Sequence, residues 1–301
     1  MIEKLKSRLP GGLHFQSLIQ IIYYFLVGKF NLELDLPIIK AFFFGEKIAR
    51  NDFILGYKKY YKIIENSYGK FDYFDFYGIK VPKVDKDTAN FVREFLDIIY
   101  PVIFNYYHID VWGEGPYIYG PVSIKKGDII IDAGANIGLF SAVASYLGGI
   151  VYSFEPVNEI IKNYLEKTAK LNKNINIVPF ALSNKNGKTE INISPDNIGQ
   201  SSLILKPKNF QKQIINTVTL DDWIKQNNIQ RIDFIKADIE GAERLMIEGA
   251  KWVLNTYGPK LSICIYHLID DKEVLTRLIK KANPNYKIEY RWGKLYAWIE
   301  K

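Results

Sequence analysis

The last 185 residues of the chain alternate between short apolar runs and amphipathic segments, and this alternation limits the fold more than any other sequence feature. Apolar runs bounded by glycine, proline or charged residues predict strands, and three-to-four residue spacing between them predicts helices. Strands that alternate with helices form parallel sheets covered by helices. Predicted strands span 128–132, 150–154, 175–181, 232–237 and 260–266, followed by a hairpin of 286–290 with 295–299. We therefore expect an α/β fold with a seven-stranded, mostly parallel sheet and an antiparallel edge strand.

Four further segments in this region carry weaker signals. Residues 189–193, 201–205 and 214–219 are rich in β-forming residues and predict short extended segments. Residues 242–254 carry helical spacing and predict one continuous helix.

The first 116 residues have a different pattern. Helical spacing over 36–61 and 87–107 predicts amphipathic helices, and alternating aromatic and polar residues over 71–82 predict a strand or hairpin. Residues 1–116 are thus expected to form a mostly helical accessory domain for acceptor binding or self-association, which would make a homo-oligomer. Residues 117–301 are expected to form the second domain.

An apolar stretch over 13–30 raises the question of membrane contact. Its uninterrupted apolar run, 21–27, is far shorter than the ~20 residues of a membrane-spanning helix. A buried or partner-facing helix is the simpler interpretation. Because Lys4, Lys6 and Arg8 precede the stretch, a helix lying on a membrane surface remains the alternative.

Charge and cysteine content exclude several classes of protein. The net charge is +7, but no basic run or stripe of the kind that binds nucleic acid occurs, so we expect no nucleic-acid partner. Cys264 is the single cysteine, which excludes an intramolecular disulfide framework. The three histidines lie too far apart for a zinc-binding HExxH motif. A cytoplasmic chain, free or peripheral to a membrane, is expected.

The loop after the first predicted strand carries a ligand-binding motif. Its sequence over 132–138 is DAGANIG, which places glycines at 134 and 138. Glycines at a strand–helix turn let a ligand approach the backbone and the free N–H groups of the helix start. Asn136 breaks the GxGxxG dinucleotide fingerprint, and no Gly-Lys-Ser/Thr follows to make a P-loop. The spacing instead suits the aminocarboxypropyl end of S-adenosylmethionine, and Glu155 at the next strand end suits its ribose hydroxyls.

Several segments together resemble the FkbM-type family of S-adenosylmethionine-dependent methyltransferases. They are DAGANIGLFS (132–141), FEP (154–156), FALSN (180–184), GQSSL (199–203), TLDDW (219–223) and IKADIEGAE (235–243). The resemblance implies a class I methyltransferase (Rossmann-like) fold with strand order 3-2-1-4-5-7-6 and O-methylation of metabolite hydroxyls. It also implies that Gly134, Asn136 and Gly138 surround the methionine moiety, Glu155 binds the ribose, and Ala181 and Leu182 flank the adenine. Asp132 would brace the cofactor loop.

The end of the fourth strand of the predicted sheet carries the candidate catalytic groups. Lys236 and Asp238 share one face of that strand, and Glu240 follows in the loop. His267 closes the neighbouring strand. We expect Asp238, which also borders the cofactor, or His267 to act as base, with Glu240 positioning the acceptor and Lys236 tuning the charge. Alternatively, Asp238, Glu240 and His267 hold a divalent cation that acidifies the hydroxyl.

The sequence thus predicts methyl transfer from S-adenosylmethionine to a hydroxyl oxygen of a saccharide or glycoconjugate. Two alternatives stay open: N-methylation of a small molecule, and a non-catalytic binding module that retains the fold. A nucleic-acid amino-methyltransferase is disfavoured, because the turn after the fourth strand is Asp-Ile-Glu-Gly and not an Asn/Asp-Pro-Pro-aromatic turn.

Overall fold

The structure is a computed structural model that describes residues 21–23, 25–44, 46–84, 88–105, 114–193, 201–205 and 210–300. The chain divides into two compact units. One unit comprises Met1–Phe74 and Lys83–Gly113, and the other comprises Asp75–Pro82 and Glu114–Lys301. The grouping of residues 75–82 with the second unit differs from the predicted division at 116/117. Within this unit, Oδ1 of Asn172 accepts from the Lys80 N–H at 3.2 Å and its Nδ2 donates to the Lys80 carbonyl at 2.6 Å.

The first unit is built from helices around an aromatic core. Its helices are α1 (Leu32–Phe44), α2 (Glu46–Tyr68), α3 (Thr88–Glu94) and, after a π-helical segment (Phe95–Ile99), α4 (Tyr100–Phe104). Helices α1 and α2 cover the segment 36–61, which the sequence predicts to be helical. The rings of Tyr61, Phe74 and Phe91 pack together, with centroids 5.2–5.8 Å apart. Aromatic residues therefore fill this core.

A short hairpin, β1 (Tyr73–Phe76) and β2 (Ile79–Pro82), lies within the predicted segment 71–82. Half of the predicted apolar stretch over 13–30 lies outside the described residues. No helix in the described part of the chain has both the length and the apolar character needed to cross a bilayer.

The second unit contains the seven-stranded sheet. Its strands are β3 (Ile129–Ala133), β4 (Ile150–Phe154), β5 (Ile175–Val178), β9 (Phe234–Ala237), β10 (Lys260–Cys264), β11 (Lys287–Arg291) and β12 (Lys294–Trp298). They lie in the order β5-β4-β3-β9-β10-β12-β11. Numbered one to seven along the chain, this order is 3-2-1-4-5-7-6, as the resemblance implies. The pairs from β5 to β10 are parallel, and β12 pairs antiparallel with both of its neighbours.

Helices cover the sheet because the central strands are apolar on both faces. Ile130, Ile131 and Ile235 are fully buried, as expected for a parallel strand packed between helix layers. The predicted class I methyltransferase architecture, an α/β fold with a mostly parallel seven-stranded sheet, is confirmed. The covering helices are α5 (Leu139–Tyr146), α6 (Asn158–Ile160), α7 (Glu166–Leu171), α8 (Leu220–Gln226), α9 (Glu243–Glu248), α10 (Lys251–Thr256) and α11 (Asp271–Ala282).

Two predicted elements are interrupted in the structure. The strand predicted over 175–181 ends at Val178, because the Phe180 N–H donates to the Val178 carbonyl and turns the chain. The next residues form β6 (Ala181–Leu182), which joins β7 (Gly187–Ile193) and β8 (Gln211–Val218) in a separate sheet of order β6-β8-β7.

The helix predicted over 242–254 is likewise two helices, α9 and α10. The Asp221 carboxylate accepts the N–H groups of Trp252 and Val253 and so caps a new helix start there. Residues 201–205 are not a strand, although Ser202 makes an isolated bridge with Asn192.

Candidate active site

The loop between β3 and α5 is shaped by three residues in the left-handed region of backbone conformation. They are Gly134 (φ +74°), Asn136 (φ +50°) and Gly138 (φ +90°). A Cβ atom at Gly134 would lie 2.0 Å from the Asp238 carbonyl oxygen, and one at Gly138 would lie 2.8 Å from Cγ2 of Thr168. Gly134 therefore lets the end of β9 approach the loop, whereas Gly138 lets the loop approach helix α7.

A buried ion pair fixes the base of this loop. Lys236 Nζ lies 3.1 Å from Oδ1 of Asp132, and it donates to the carbonyls of Ala133 and Gly134 at 3.2 and 2.7 Å. Ser141 donates to the other oxygen of Asp132 at 2.6 Å. Burial alone would lower the pKa of Lys236, but the charge of Asp132 outweighs it and raises that pKa. Asp132 and Lys236 thus fix the position of the first residues of the loop.

Glu155 follows β4 with its carboxylate fixed by the backbone. Its Oε2 accepts the Asn136 N–H at 3.1 Å, and its Oε1 accepts the Val157 N–H at 2.9 Å. Burial raises the pKa of Glu155 to about 7, in spite of these two hydrogen bonds. Each carboxylate oxygen keeps lone pairs for a further donor.

A cavity opens at the carboxyl ends of these strands. Ligands of open α/β sheets bind at this edge. Its walls are formed by Gly134, Asn136, Phe154, Glu155, Pro156, Ile160, Phe180, Ala181, Leu182, Ile191, Ser201, Leu203, Asp238, Ile239, Glu240 and Ala242. Of the residues expected at the cofactor, Gly134, Asn136, Glu155, Ala181, Leu182 and Asp238 line it. Asp132 and Gly138 do not line it, and neither do Lys236 and His267 of the expected catalytic group.

Asp238 is held at the rim of this cavity by two tyrosines. Oδ2 accepts from the Tyr117 hydroxyl at 2.6 Å, and Oδ1 accepts from the Tyr266 hydroxyl at 3.3 Å. Burial would raise the pKa of Asp238, but the charges of Lys236 and His267 and the Tyr117 hydrogen bond outweigh it. The pKa of this carboxyl therefore lies below its usual range.

His267 lies among three carboxylates. Its Nε2 is 3.6 Å from Oδ1 of Asp238 and 3.7 Å from Oε2 of Glu240. Its Nδ1 is 3.1 Å from Oε1 of Glu243. Burial would lower the pKa of His267, but the carboxylates raise it to about 9. Burial and the nearby Asp238 charge raise the pKa of Glu240 to about 7.

The turn that carries Glu240 is tight and is fixed from two sides. Glu240 has φ +54° and Gly241 has φ +95°, so both adopt the left-handed conformation. The Glu243 carboxylate, fully buried, accepts the Ile239 N–H at 2.8 Å. Ser202 donates to the Glu240 carbonyl at 2.5 Å. These contacts set the direction in which Glu240 leaves the backbone.

The residues that sequence reasoning did not place at the site are Tyr117, Tyr266, Glu243, Glu114 and Ser202. The Tyr266 hydroxyl donates to Glu114 at 2.6 Å, in addition to its contact with Asp238. Glu243 lies in the first turn of α9, where an acidic residue is ordinary and gives no signal of a site. Tyr266 carried a usable signal, because it immediately precedes His267 at the end of a central strand. The other contacts depend on segments far apart in the chain.

Comparison with known proteins gives two curated relatives with low identity. A hexuronic acid methyltransferase, AglP, from Haloferax volcanii is 23% identical over 164 residues, or 54% of this chain and 66% of that protein. The methyltransferase sdnD of Sordaria araneosa is 24% identical over 44% of this chain and 64% of that protein. The chain thus spans slightly less than two thirds of the length of either relative.

The solved structures are similar at lower sequence identity than the curated relatives. The FkbM methyltransferase of Methylobacillus flagellatus KT is 19% identical with a TM-score of 0.47, covering 84% of this chain and 60% of that one. A Streptococcus mutans methyltransferase solved in complex with SAH is 14% identical with a TM-score of 0.36, covering 58% and 88%.

The match to a protein family is more extensive. Residues 132–294, more than half of the 301, match the family described as Methyltransferase FkbM domain. The matched region begins at Asp132, at the base of the cofactor loop, and ends at Lys294, in the last strand of the sheet. The chain therefore belongs to the FkbM methyltransferase family.

Proposed function

We propose that this chain transfers a methyl group from S-adenosylmethionine to a hydroxyl oxygen of a saccharide or glycoconjugate. One observation carries the proposal. The cavity has the Glu155 carboxylate on one wall and Asp238 on another, and Asp238 is in contact with His267. A group that binds a nucleoside and a group that accepts a proton thus face a common space.

The residues present fit S-adenosylmethionine. Glu155 offers a carboxylate, already aimed by two N–H groups, to a ribose diol. The Asn136 Oδ1 is buried and has no hydrogen-bond partner among the described residues, so it would accept from an ammonium group. Ala181 and Leu182 supply an apolar wall for a purine, and Gly134 leaves room at the backbone. When bound, S-adenosylmethionine supplies an electrophilic methyl group on a sulfonium.

The chain's own residues orient and deprotonate the acceptor. Displacement at a methyl group requires an aligned nucleophile, so positioning is the main task of the protein. Asp238 takes the hydroxyl proton, because its carboxyl is ionised whereas the raised pKa of His267 leaves that ring protonated at neutral pH, and Glu240 positions the acceptor. Lys236, which the sequence assigns to charge tuning, instead acts through the loop that it and Asp132 hold.

A saccharide acceptor is supported by the relative from Haloferax volcanii, whose name gives a hexuronic acid as its substrate. Residues 1–116 would contribute acceptor binding or self-association. N-methylation of a small molecule uses the same cofactor site. It is separated from O-methylation by carbon-13 NMR of the product made with methyl-labelled cofactor.

The experiment that tests the proposal is a thermal-shift titration with S-adenosylhomocysteine, run beside NADH. Saturable stabilisation by S-adenosylhomocysteine alone is expected, because a ligand that binds only the folded state raises the melting temperature. Glu155→Ala should weaken this binding. Asp238→Asn should keep most of this binding while losing methyl transfer to the acceptor hydroxyl. Stabilisation by NADH, or by neither compound, would contradict the proposal.

A further inference from the structure

Both ring nitrogens of His267 are buried without a hydrogen bond to any residue that the structure describes. The His267 side chain is 4% exposed, and its Nε2 has no charged group closer than 3.6 Å in the described part of the chain. Buried polar atoms are nearly always satisfied, so an orphaned one calls for an explanation. Nε2 points between Oδ1 of Asp238 at 3.6 Å and Oε2 of Glu240 at 3.7 Å. Both distances exceed a hydrogen bond.

The other ring nitrogen has the environment of a metal-binding histidine. Nδ1 lies 3.1 Å from Oε1 of Glu243, and the same oxygen accepts the Ile239 N–H. A histidine that binds a metal through one nitrogen usually has its other nitrogen beside a carboxylate or carbonyl, which fixes the ring orientation. Glu243 therefore directs Nε2 toward the gap between Asp238 and Glu240.

The dimensions of the gap suit a cation. One ligand atom from each of Asp238, Glu240 and His267 lies within 4.8 Å of the other two. Two atoms each about 2.1 Å from a metal, at a right angle, are about 3 Å apart. Small side-chain rotations would bring the three atoms to that spacing. A cation would also offset the negative charge of the surrounding carboxylates.

We infer that Asp238, Glu240 and His267 bind a divalent cation, with Glu243 as the positioning residue for His267. Three ligands from one side leave positions open for water and for a hydroxyl of the acceptor. The inference rests on the proposed function for the acceptor, and the cation site itself can be tested without one. With the cation bound, Asp238 and His267 would act on the acceptor through the metal and not as free bases.

The ligand set narrows the choice of metal. The three ligands are two carboxylate oxygens, which are hard, and one imidazole nitrogen, which is borderline, and no thiolate is among them. This combination suits Mn²⁺ better than metals that prefer soft ligands. Mg²⁺ favours oxygen ligands alone. Mn²⁺ is therefore the probe.

The test is calorimetric titration of MnCl₂ into the full chain after treatment with a chelator. One saturable site per chain is expected in the wild type. Glu240→Gln and His267→Gln should each weaken binding at least tenfold. Glu243→Gln should weaken it about 10- to 100-fold, the range found for partners of metal-bound histidines. The matched control is Glu190→Gln, which alters an exposed carboxylate paired with Lys212 and should leave Mn²⁺ binding unchanged.

Absence of saturable Mn²⁺ binding in the wild type would overturn the inference. Unchanged binding in both Glu240→Gln and His267→Gln would also overturn it, because the ion would then lie elsewhere. Glu240 lies on a turn at the cavity and is partly exposed, so its variant tests the site even where the His267 variant fails to fold. A chain that binds S-adenosylhomocysteine but not Mn²⁺ keeps the proposed function and loses the cation site. A chain that binds Mn²⁺ but not S-adenosylhomocysteine would support the cation site and contradict the proposed function.

Discussion

The hydroxyl of Tyr117 donates a 2.6 Å hydrogen bond to Oδ2 of Asp238 from a position 121 residues earlier in the chain. The ring of Tyr117 lies between two ammonium groups, with Lys294 Nζ at 4.3 Å and Lys236 Nζ at 5.2 Å from its centroid. Burial and the charge of Asp238 raise the pKa of Tyr117 well above its usual value, so the hydroxyl remains a donor. One oxygen of Asp238 is therefore held, and the other is directed toward His267.

Tyr117→Phe should lower kcat while leaving the affinity for S-adenosylhomocysteine nearly unchanged. A hydrogen bond to a charged group contributes about 1.5–3 kcal/mol, so kcat should fall about tenfold or more where the fixed carboxylate is needed. The matched control is Tyr286→Phe, which removes a buried hydroxyl that donates to the Pro259 carbonyl at 2.8 Å. Equal kcat in the two variants would show that Tyr117 has only a structural role.

The strands of the large sheet were predictable because strands that are buried on both faces consist of continuous apolar runs. The FkbM membership followed from motifs at strand ends. The break between β5 and β6 falls at Pro179, which has no N–H to donate to a neighbouring strand, so the sequence carried a stop signal that the strand predicted over 175–181 did not take into account. The pairing of β6 with β8 in the small sheet was not predictable from local sequence. Likewise, the split of the helix over 242–254 depends on Asp221, which caps α10 from a distant segment.

The candidate site could be predicted only in part. Glu155 and Asp238 lie at strand ends, where topology alone brings them to one edge of the sheet. The direction of a side chain was harder to predict. Lys236 shares a strand face with Asp238, yet its ammonium group turns to Asp132 and the loop carbonyls. The contact between Tyr117 and Asp238 joins segments whose approach no local pattern encodes.

The affinity for S-adenosylhomocysteine should depend on pH through Glu155. Its pKa of about 7 means that the carboxylate is largely protonated at pH 6 and largely ionised at pH 8. An ionised carboxylate accepts from both ribose hydroxyls, so affinity should rise with pH up to about 8 and then level off. Below pH 7 the loss approaches about tenfold per pH unit, because binding releases a proton. Calorimetry from pH 5.5 to 8.5 measures this.

Glu155→Gln is the control for that profile, because an amide does not titrate in this range. Its affinity should be weaker and flat with pH. The raised pKa of Glu155 also makes the stability of the folded state depend on pH. Since the folded state holds the proton more tightly than the unfolded state, Glu155 makes folding less favourable as pH rises from about 4.5 to about 7. A wild-type binding profile that is flat across pH 7 would contradict the role given to Glu155.

Gly134→Ala should abolish cofactor binding and destabilise the chain. The new Cβ would lie 2.0 Å from the Asp238 carbonyl oxygen, at a φ of +74° that disfavours any side chain. The control, Gly120→Ala, also has a positive φ, +55°, but meets no atom within 4 Å. This control should lower the free energy of unfolding only by the cost of a left-handed backbone conformation for alanine, about 1–2 kcal/mol. Thermal melting with and without S-adenosylhomocysteine separates the two effects, and identical behaviour of both variants would exclude close packing at Gly134.

Lys236→Met distinguishes a loop-holding lysine from one that tunes charge during catalysis. Among the described residues, removing Lys236 leaves the fully buried Asp132 with a side-chain hydrogen bond from Ser141 alone, since its Oδ1 has no other partner there. An uncompensated buried charge costs about 3–5 kcal/mol, so the free energy of unfolding should fall by about that amount in urea titrations. The double variant Asp132→Asn/Lys236→Met removes both charges and should recover part of the loss. A Lys236→Met chain with wild-type stability but no turnover would instead assign the lysine to catalysis.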